Sequence, residues 1–396
     1  MNLLYDLTAT QPSPQSKFHG GGMYGEVVFF KLLEHLDRVQ LTAMYDSSLY
    51  MNPDILAAVE SRNIPLFDIQ KISVEQIVES QHIDRAYSAM LNLNQRWPLE
   101  SVAVYTTVHG LRTLEMPFDA MMLWYDASLK EKIRDALFMT IGRRWFMRKM
   151  RSINARLVAD ARISVITVSQ HSLASIHAFY PETRRREIPV FASPTFAQLE
   201  SYRPALQKAD VSELEQFAVQ EKKYFLLTGA ALWSENALRA VLALDSLFSD
   251  GFAAEFKAVV TGVASRSVFA KGLRNAERFV FLGYVDRPVL GVLTERAYSF
   301  VYPSLNEGFG YPPVEAMKYG VPVLASGTSS VPEVCGDAAL YFDPHSVSEI
   351  KNRLVQVLDR TVHDRYSMRA RVRFSVVAAK QKADLTKLID YILRLC

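Results

Sequence analysis

Cysteine is almost absent from this chain of 396 residues. Only Cys335 and Cys396 occur, too few for a disulfide framework or a cysteine-built metal site, as expected of a reducing compartment. Long apolar runs are missing as well: none approaches the ~18 residues a membrane-spanning helix needs. The opening Met1-Asn-Leu-Leu-Tyr-Asp has neither the basic start nor the long apolar core of a signal peptide. The expectation is a cytoplasmic protein, with contact at the inner face of a membrane left open. An excess of charge is lacking too. Lys and Arg number 45 against 42 Asp and Glu, a net charge of +3, so no global field recruits nucleic acid. No stacking platform or base-reading module is in sight, and no internal repeat or low-complexity tract appears. What remains is an ordinary globular composition, 49% hydrophobic and 22% charged. The length suffices for two domains of about 150–200 residues, each with its own core.

Short apolar runs alternate with amphipathic segments, which reads as α/β. Strands are expected at Leu3–Leu7, Val39–Tyr45 and Pro65–Ile69, from Ser101 to an end that delivers His109, and again at Ile163–Ser169. Helices are expected over Glu26–Asp37, Pro53–Arg62 and Val74–Met90. Between the first strand and first helix lies a polar loop, Thr8–His19, and then Gly20-Gly-Gly-Met-Tyr-Gly25. Gly20, Gly22 and Gly25 match the dinucleotide fingerprint in form, and Asp46 follows about twenty residues on. That supports a nicotinamide or flavin enzyme as a rival reading. The fingerprint, however, needs its glycines in the tight turn directly after the strand, and here about a dozen residues intervene.

The most informative stretch is Tyr302 to Asp337, Y-P-S-L-N-E-G-F-G-Y-P-P-V-E-A-M-K-Y-G-V-P-V-L-A-S-G-T-S-S-V-P-E-V-C-G-D. It follows an apolar run, Tyr298–Tyr302, so Ser304–Tyr311 should leave the C-terminal edge of a buried parallel strand, where open α/β sheets bind ligands. Gly308 and Gly310 let a ligand approach the main chain. Pro312 and Pro313 suit a first helical turn, and the helix they open, Val314–Tyr319, ends at Gly320. Two carboxylates, Glu307 and Glu315, frame this turn as E-x7-E. Alone that spacing is weak; within S-L-N-E-G-F-G-Y-P-P-V-E-A-M followed by G-V-P-V-L-A-S-G-T-S-S-V-P-E-V it closely resembles the donor-site signature of retaining glycosyltransferases of the GT-B fold, family 4 type.

The resemblance extends along nearly the whole chain. It is strong over about 279–343 and thin before 100. It implies two Rossmann-like domains facing across a cleft: 1–200 on the acceptor side, 201–375 binding a nucleotide sugar, and a helix over 376–396 packing back on the first. Arg373-Phe-Ser375 resembles the family's C-terminal segment, with Val376 where the family has Trp. The implied reaction moves a hexose, mannose favoured, from a nucleotide diphosphate sugar to a glycan or lipid-linked saccharide, with no metal and no further cofactor. By resemblance, Glu307 takes sugar hydroxyls and Glu315 the ribose diol. Gly308, Phe309 and Gly310 bring backbone to the sugar or phosphate, and Gly21 and Gly22 close on the diphosphate. Gly283-Tyr284-Val285 matches the turn under the base. His109, delivered by the strand before it, corresponds to a histidine by the donor sugar, although the family's following Asp is Gly110.

One departure stands out. The family clamps the diphosphate with an Arg just after the glycine of the first strand of the second domain, and a Lys some five residues on. Here Gly229-Ala-Ala-Leu-Trp-Ser-Glu-Asn236 puts Ala230 and Glu235 in those places. Arg112, Arg239 and Arg266 are the candidates for a substitute cation. The departure keeps a second class open, a non-catalytic GT-B paralogue that binds or scaffolds. Elsewhere, the chain is basic from Lys130 to Arg162, and Trp145, Phe146 and Met147 interrupt cations within 142–151. This reads either as a solvated helix with one core face or as a contact with anionic lipid headgroups. A linker is expected over about 189–222.

Overall fold

The computed structural model describes residues 1–12, 20–125, 128–194, 219–263, 265, 267–270 and 272–394. Part of the polar loop before Gly20, most of the expected linker, the candidate cation Arg266 and Cys396 lie outside the described residues. By contacts the chain divides into two compact units. One gathers Met1–Leu111, Lys149–Ala205 and Ala378–Cys396; the other gathers Arg112–Arg148 and Leu206–Val377.

The first unit holds a parallel sheet built from β1 (Asn2–Asp6), β2 (Gln40–Tyr45), β3 (Leu66–Asp68), β4 (Arg85–Ser88), β5 (Ala103–Val108) and β6 (Ile163–Thr167). Their order is β3-β2-β1-β4-β5-β6. The second unit holds β7 (Tyr224–Leu227), β8 (Lys257–Val260), β9 (Phe279–Phe281), β10 (Ser299–Tyr302), β11 (Val323–Ser326) and β12 (Ala339–Phe342), ordered β12-β11-β10-β7-β8-β9. Read from β9, the second order repeats the first. Both are the doubly wound Rossmann arrangement, in which the order reverses between the first and fourth strands. The strands are almost wholly buried; Leu3, Leu4 and Tyr5 in β1 and Phe225, Leu226 and Leu227 in β7 have no exposed surface. Burial on both faces is what helices over a parallel sheet impose.

Three elements differ most from the sequence-based expectation. The segment 74–90 is not one helix: the helix stops at Ser80, and β4 follows at Arg85. A Ser73–Gln76 capping box starts that helix, but its end carries no glycine or proline, so the helical reading runs on. The first long helix begins at Gly20, not Glu26. Gly25 is there for packing: a Cβ on it would press on Thr10 and Ala89, whereas one on Gly21 would only push aside the end of the Met90 side chain. Finally, the last helix spans Arg360–Leu393, 34 residues, far longer than the expected 376–396. Neither glycine nor proline occurs after Pro344, so nothing interrupts it. Its second half belongs to the first unit, where Gln381 Nε2 donates to the Ser193 carbonyl at 2.5 Å and Asp384 accepts from the Ala192 N–H at 3.0 Å. No helix among the described residues is long and apolar enough to cross a membrane.

Candidate active site

The reversal point of the second sheet lies between β7 and β10, so the loops leaving these two strands form its ligand-binding edge. They are tied together. The Leu305 N–H donates to the Ser234 carbonyl at 2.9 Å, and Asn236 Nδ2 donates to the Pro303 and Pro344 carbonyls at 2.9 and 2.7 Å. Asn236 itself adopts a left-handed conformation, φ 59°, which an asparagine tolerates.

Glu307 sits in the β10 loop with its carboxylate fixed. Tyr302 Oη donates to its Oε1 at 2.5 Å and Ser304 Oγ at 2.7 Å. Its backbone is held from the other side, the N–H donating to Ser329 Oγ at 3.0 Å and the carbonyl accepting from Ser330 Oγ at 2.9 Å. The Thr-Ser-Ser run after β11 thus serves as the brace of the acidic loop. Gly310 then caps the helix Tyr311–Lys318 in the left-handed region, φ 94°, a conformation glycine adopts without penalty. Within that helix Glu315 pairs with Arg287 at 3.0 Å. Arg287 opens the helix that follows Tyr284 and Val285; Tyr284 is 54% exposed. Glu307, the 308–310 turn, Glu315 and the 284–285 turn therefore all belong to one unit and one edge of its sheet.

His109, Gly21 and Gly22 belong to the first unit and cluster at the corresponding edge there. His109 follows β5, its Nε2 lies 3.1 Å from the Ala89 carbonyl, and Tyr24 meets its ring edge-on at 4.8 Å. Gly21 and Gly22 form the first turn of the helix beneath.

The positions that depart from the family pattern have clear structural fates. Ala230 is 1% exposed, with its N–H bonded to the Thr261 carbonyl; a long cation would have to leave the core to exist there. Arg239 is excluded as a substitute, because it is buried in a bidentate pair with Asp119, at 2.9 and 3.0 Å. Arg112 is the candidate that reaches the site: Nη1 donates to Ser234 Oγ at 3.3 Å. The segment carrying Arg112 also lays Glu115 on Asn306 and Asp119 on Arg239. Nothing in the local sequence marks out Glu115 or Asp119.

Glu235 folds over Gly229, whose φ of 77° and missing Cβ leave room for it. Burial, then the Glu307 charge, pushes its carboxyl up to about 8, with Arg112 opposing. The same surroundings drive the Tyr302 hydroxyl well above its ordinary range, burial first and Glu307 next. The folded chain thus holds the Glu235 proton more tightly than the unfolded chain does. Stability from this group is intact below its ordinary pKa of 4.5 and declines as pH rises toward 8. Glu235→Gln is expected to flatten that decline in urea denaturation series at pH 5, 7 and 9; an unchanged slope would show that Glu235 ionises normally.

Comparison with known proteins now bears on these residues. Residues 212–373 match the family model of glycosyl transferases, group 1. Over that segment the chain is similar to the group 1 glycosyl transferases. Curated relatives include O-antigen chain mannosyltransferase B of Escherichia coli, 50% identical over 78 residues, 20% of each chain. O-antigen chain mannosyltransferase RfbU of Salmonella typhimurium is 32% identical over 132 residues, 32% of this chain and 35% of that one. The matches thus span about a fifth to a third of these relatives' lengths. Solved structures similar over nearly the full chain include WaaG, a glycosyltransferase involved in lipopolysaccharide biosynthesis (TM-score 0.64, 14% identity, 98% of this chain and 99% of that one). Another is Anabaena HepE in complex with UDP and glucose (TM-score 0.59, 16% identity, 98% and 99%). At such identities they establish the fold, GT-B with two Rossmann-like domains.

Proposed function

We propose that the protein is a retaining hexosyltransferase that moves mannose from a nucleotide diphosphate sugar to a glycan or lipid-linked saccharide in surface polysaccharide assembly. The observation that carries this is Glu307, held by Tyr302 and Ser304 at the reversal point of the second sheet, with Glu315 one helix away. A carboxylate so oriented accepts hydrogen bonds from sugar hydroxyls, while Glu315, released from Arg287, grips a ribose diol. The acceptor oxygen bonds to the anomeric carbon on the face from which the diphosphate departs; the C–O bond to the diphosphate breaks, and the diphosphate takes the hydroxyl proton. This chemistry needs no metal or further cofactor. Mannose is favoured because the curated relatives named above are mannosyltransferases. His109, Gly21 and Gly22 are assigned to the sugar and the diphosphate by the same reading.

The test is to incubate the protein with GDP-mannose, GDP-fucose, UDP-glucose and other nucleotide sugars, with and without lipid-linked saccharides, and assay released nucleoside diphosphate. Turnover with one donor is expected. Binding of a donor without release under any acceptor mixture would replace this reading with a non-catalytic binding subunit, which Glu235 in place of a lysine specifically favours.

The setting we infer is the inner surface of a membrane. The helices Leu129–Met139 and Arg143–Val158 leave Leu129, Ile133, Leu137 and Trp145 exposed, and Ile141 is exposed in the turn between them, beside Lys130, Lys132, Arg143 and Arg144. Leu129, Ile133 and Leu137 recur every four residues and so share a helix face. Apolar side chains flanked by cations suit an anionic lipid interface. Co-sedimentation with phosphatidylglycerol vesicles is expected, reduced several-fold by Ile141→Ser with Trp145→Ser. Equal binding to phosphatidylcholine vesicles, or none to either, would remove the membrane contact from the reading.

A further inference from the structure

A glycosyl transferase site that releases a diphosphate requires positive charge where the leaving group develops its own. In this chain the two family positions for that charge hold a buried alanine and an acid, so the charge must come from elsewhere. Arg112 fits. It is exposed, lies outside the matched segment 212–373, and belongs by contacts to the second unit. Its guanidinium donates to Ser234, the residue next to Glu235. Its position is secured by neighbours on the same segment, Glu115 on Asn306 and Asp119 on Arg239. The segment thus presents a cation to the loop in which the family keeps its own.

Glu235 is the second half of the problem. Its carboxyl lies over Gly229 at the end of β7, and no described residue hydrogen-bonds it. The charged or titratable groups around it are Glu307 and Tyr302 from β10 and its loop, Arg112 from the docked segment, and Tyr125 further along that segment. A second carboxylate beside Glu307 would repel both its neighbour and the donor. A neutral carboxylic acid would do neither and could donate a hydrogen bond. Resting on the reading of the protein as a glycosyltransferase, we propose that Arg112 supplies the positive charge that faces the donor diphosphate, and that Glu235 serves beside it as a neutral hydrogen-bond donor to the same group.

The experiment measures calorimetric affinity for GDP, UDP and ADP, each against its nucleoside monophosphate, from pH 6 to 9.5. The proteins are the wild type, Arg112→Ala, Arg112→Lys and Glu235→Gln, each checked by thermal unfolding. For the nucleotide that binds, Arg112→Ala is expected to weaken the diphosphate about 10–100-fold and the monophosphate far less, with Arg112→Lys in between. Wild-type diphosphate affinity should fall above about pH 8, and Glu235→Gln should abolish that fall while binding within a few-fold of wild type at pH 7. Two results overturn the proposal: Arg112→Ala binding the diphosphate as wild type does, or Glu235→Gln tightening it tenfold at pH 7, as removal of an ionised acid would. Wild type that binds none of the nucleotides overturns the glycosyltransferase reading and this proposal with it, a pattern distinct from either variant result.

Discussion

Asp119→Ala is expected to destabilise the protein by about 3–5 kcal/mol, the range for breaking one side of a buried ion pair. Asp119 is 9% exposed and Arg239 7%. The carboxylate takes both guanidinium nitrogens, at 2.9 and 3.0 Å, and also the Met121 N–H at 2.8 Å. His345 Nδ1 stands 3.5 Å from Oδ2. Arg239 spends a further bond on Asn236 Oδ1 at 2.8 Å, the residue that ties the β7 and β10 loops. Truncating Asp119 therefore strands a guanidinium in the core of the helix Ala237–Ser249 and loosens the segment that carries Arg112. Urea denaturation monitored by Trp fluorescence measures the loss. The double variant Asp119→Ala with Arg239→Met should recover part of it, because the stranded charge is gone. A loss under 1 kcal/mol would mean that the pair is solvated and the segment docks by other means.

Glu307→Gln is expected to lower kcat/KM about 100–1,000-fold, comparable to deleting one electrostatic contact made in the transition state. The amide keeps the size of the carboxylate and its oxygen still accepts from Tyr302 or Ser304, so thermal unfolding should move little. That separation matters, since Glu307→Ala would also leave the buried Tyr302 hydroxyl without a partner. Full activity in Glu307→Gln, with the fold intact, would remove Glu307 from the chemistry.

How far the sequence announces all this varies by element. The turn from Ser304 to Gly320 was legible because glycine and proline punctuate it so strongly that few backbones satisfy them; the helix starts three residues earlier than expected, at Tyr311. The strand before His109 was legible as an apolar run. β4 was not, because Arg85 looks polar although it is buried, donating to the Ile392 carbonyl at 2.5 Å and lying over the Tyr105 ring. With β4 hidden, the reversal point of the first sheet was hidden too. Gly20–Gly25 reads as loop by propensity and is helix, with Gly25 placed where Thr10 and Ala89 leave little room for a side chain. The docking of 112–125 could not be read at all: charges that pair across more than a hundred residues leave no local trace. The loss of the family's two cations was plain in the sequence, whereas a replacement becomes visible only once Ser234 and Arg112 are brought side by side.

The shared strand order of the two sheets has a last consequence. Two stretches of chain without recognisable repetition arrive at one wiring diagram, so the frame asks of its strands little beyond apolar bulk. What hangs from the strand tips can then change without altering the order of the strands. An acid can stand in for a lysine at 235, and the cradle beneath it stays as it was.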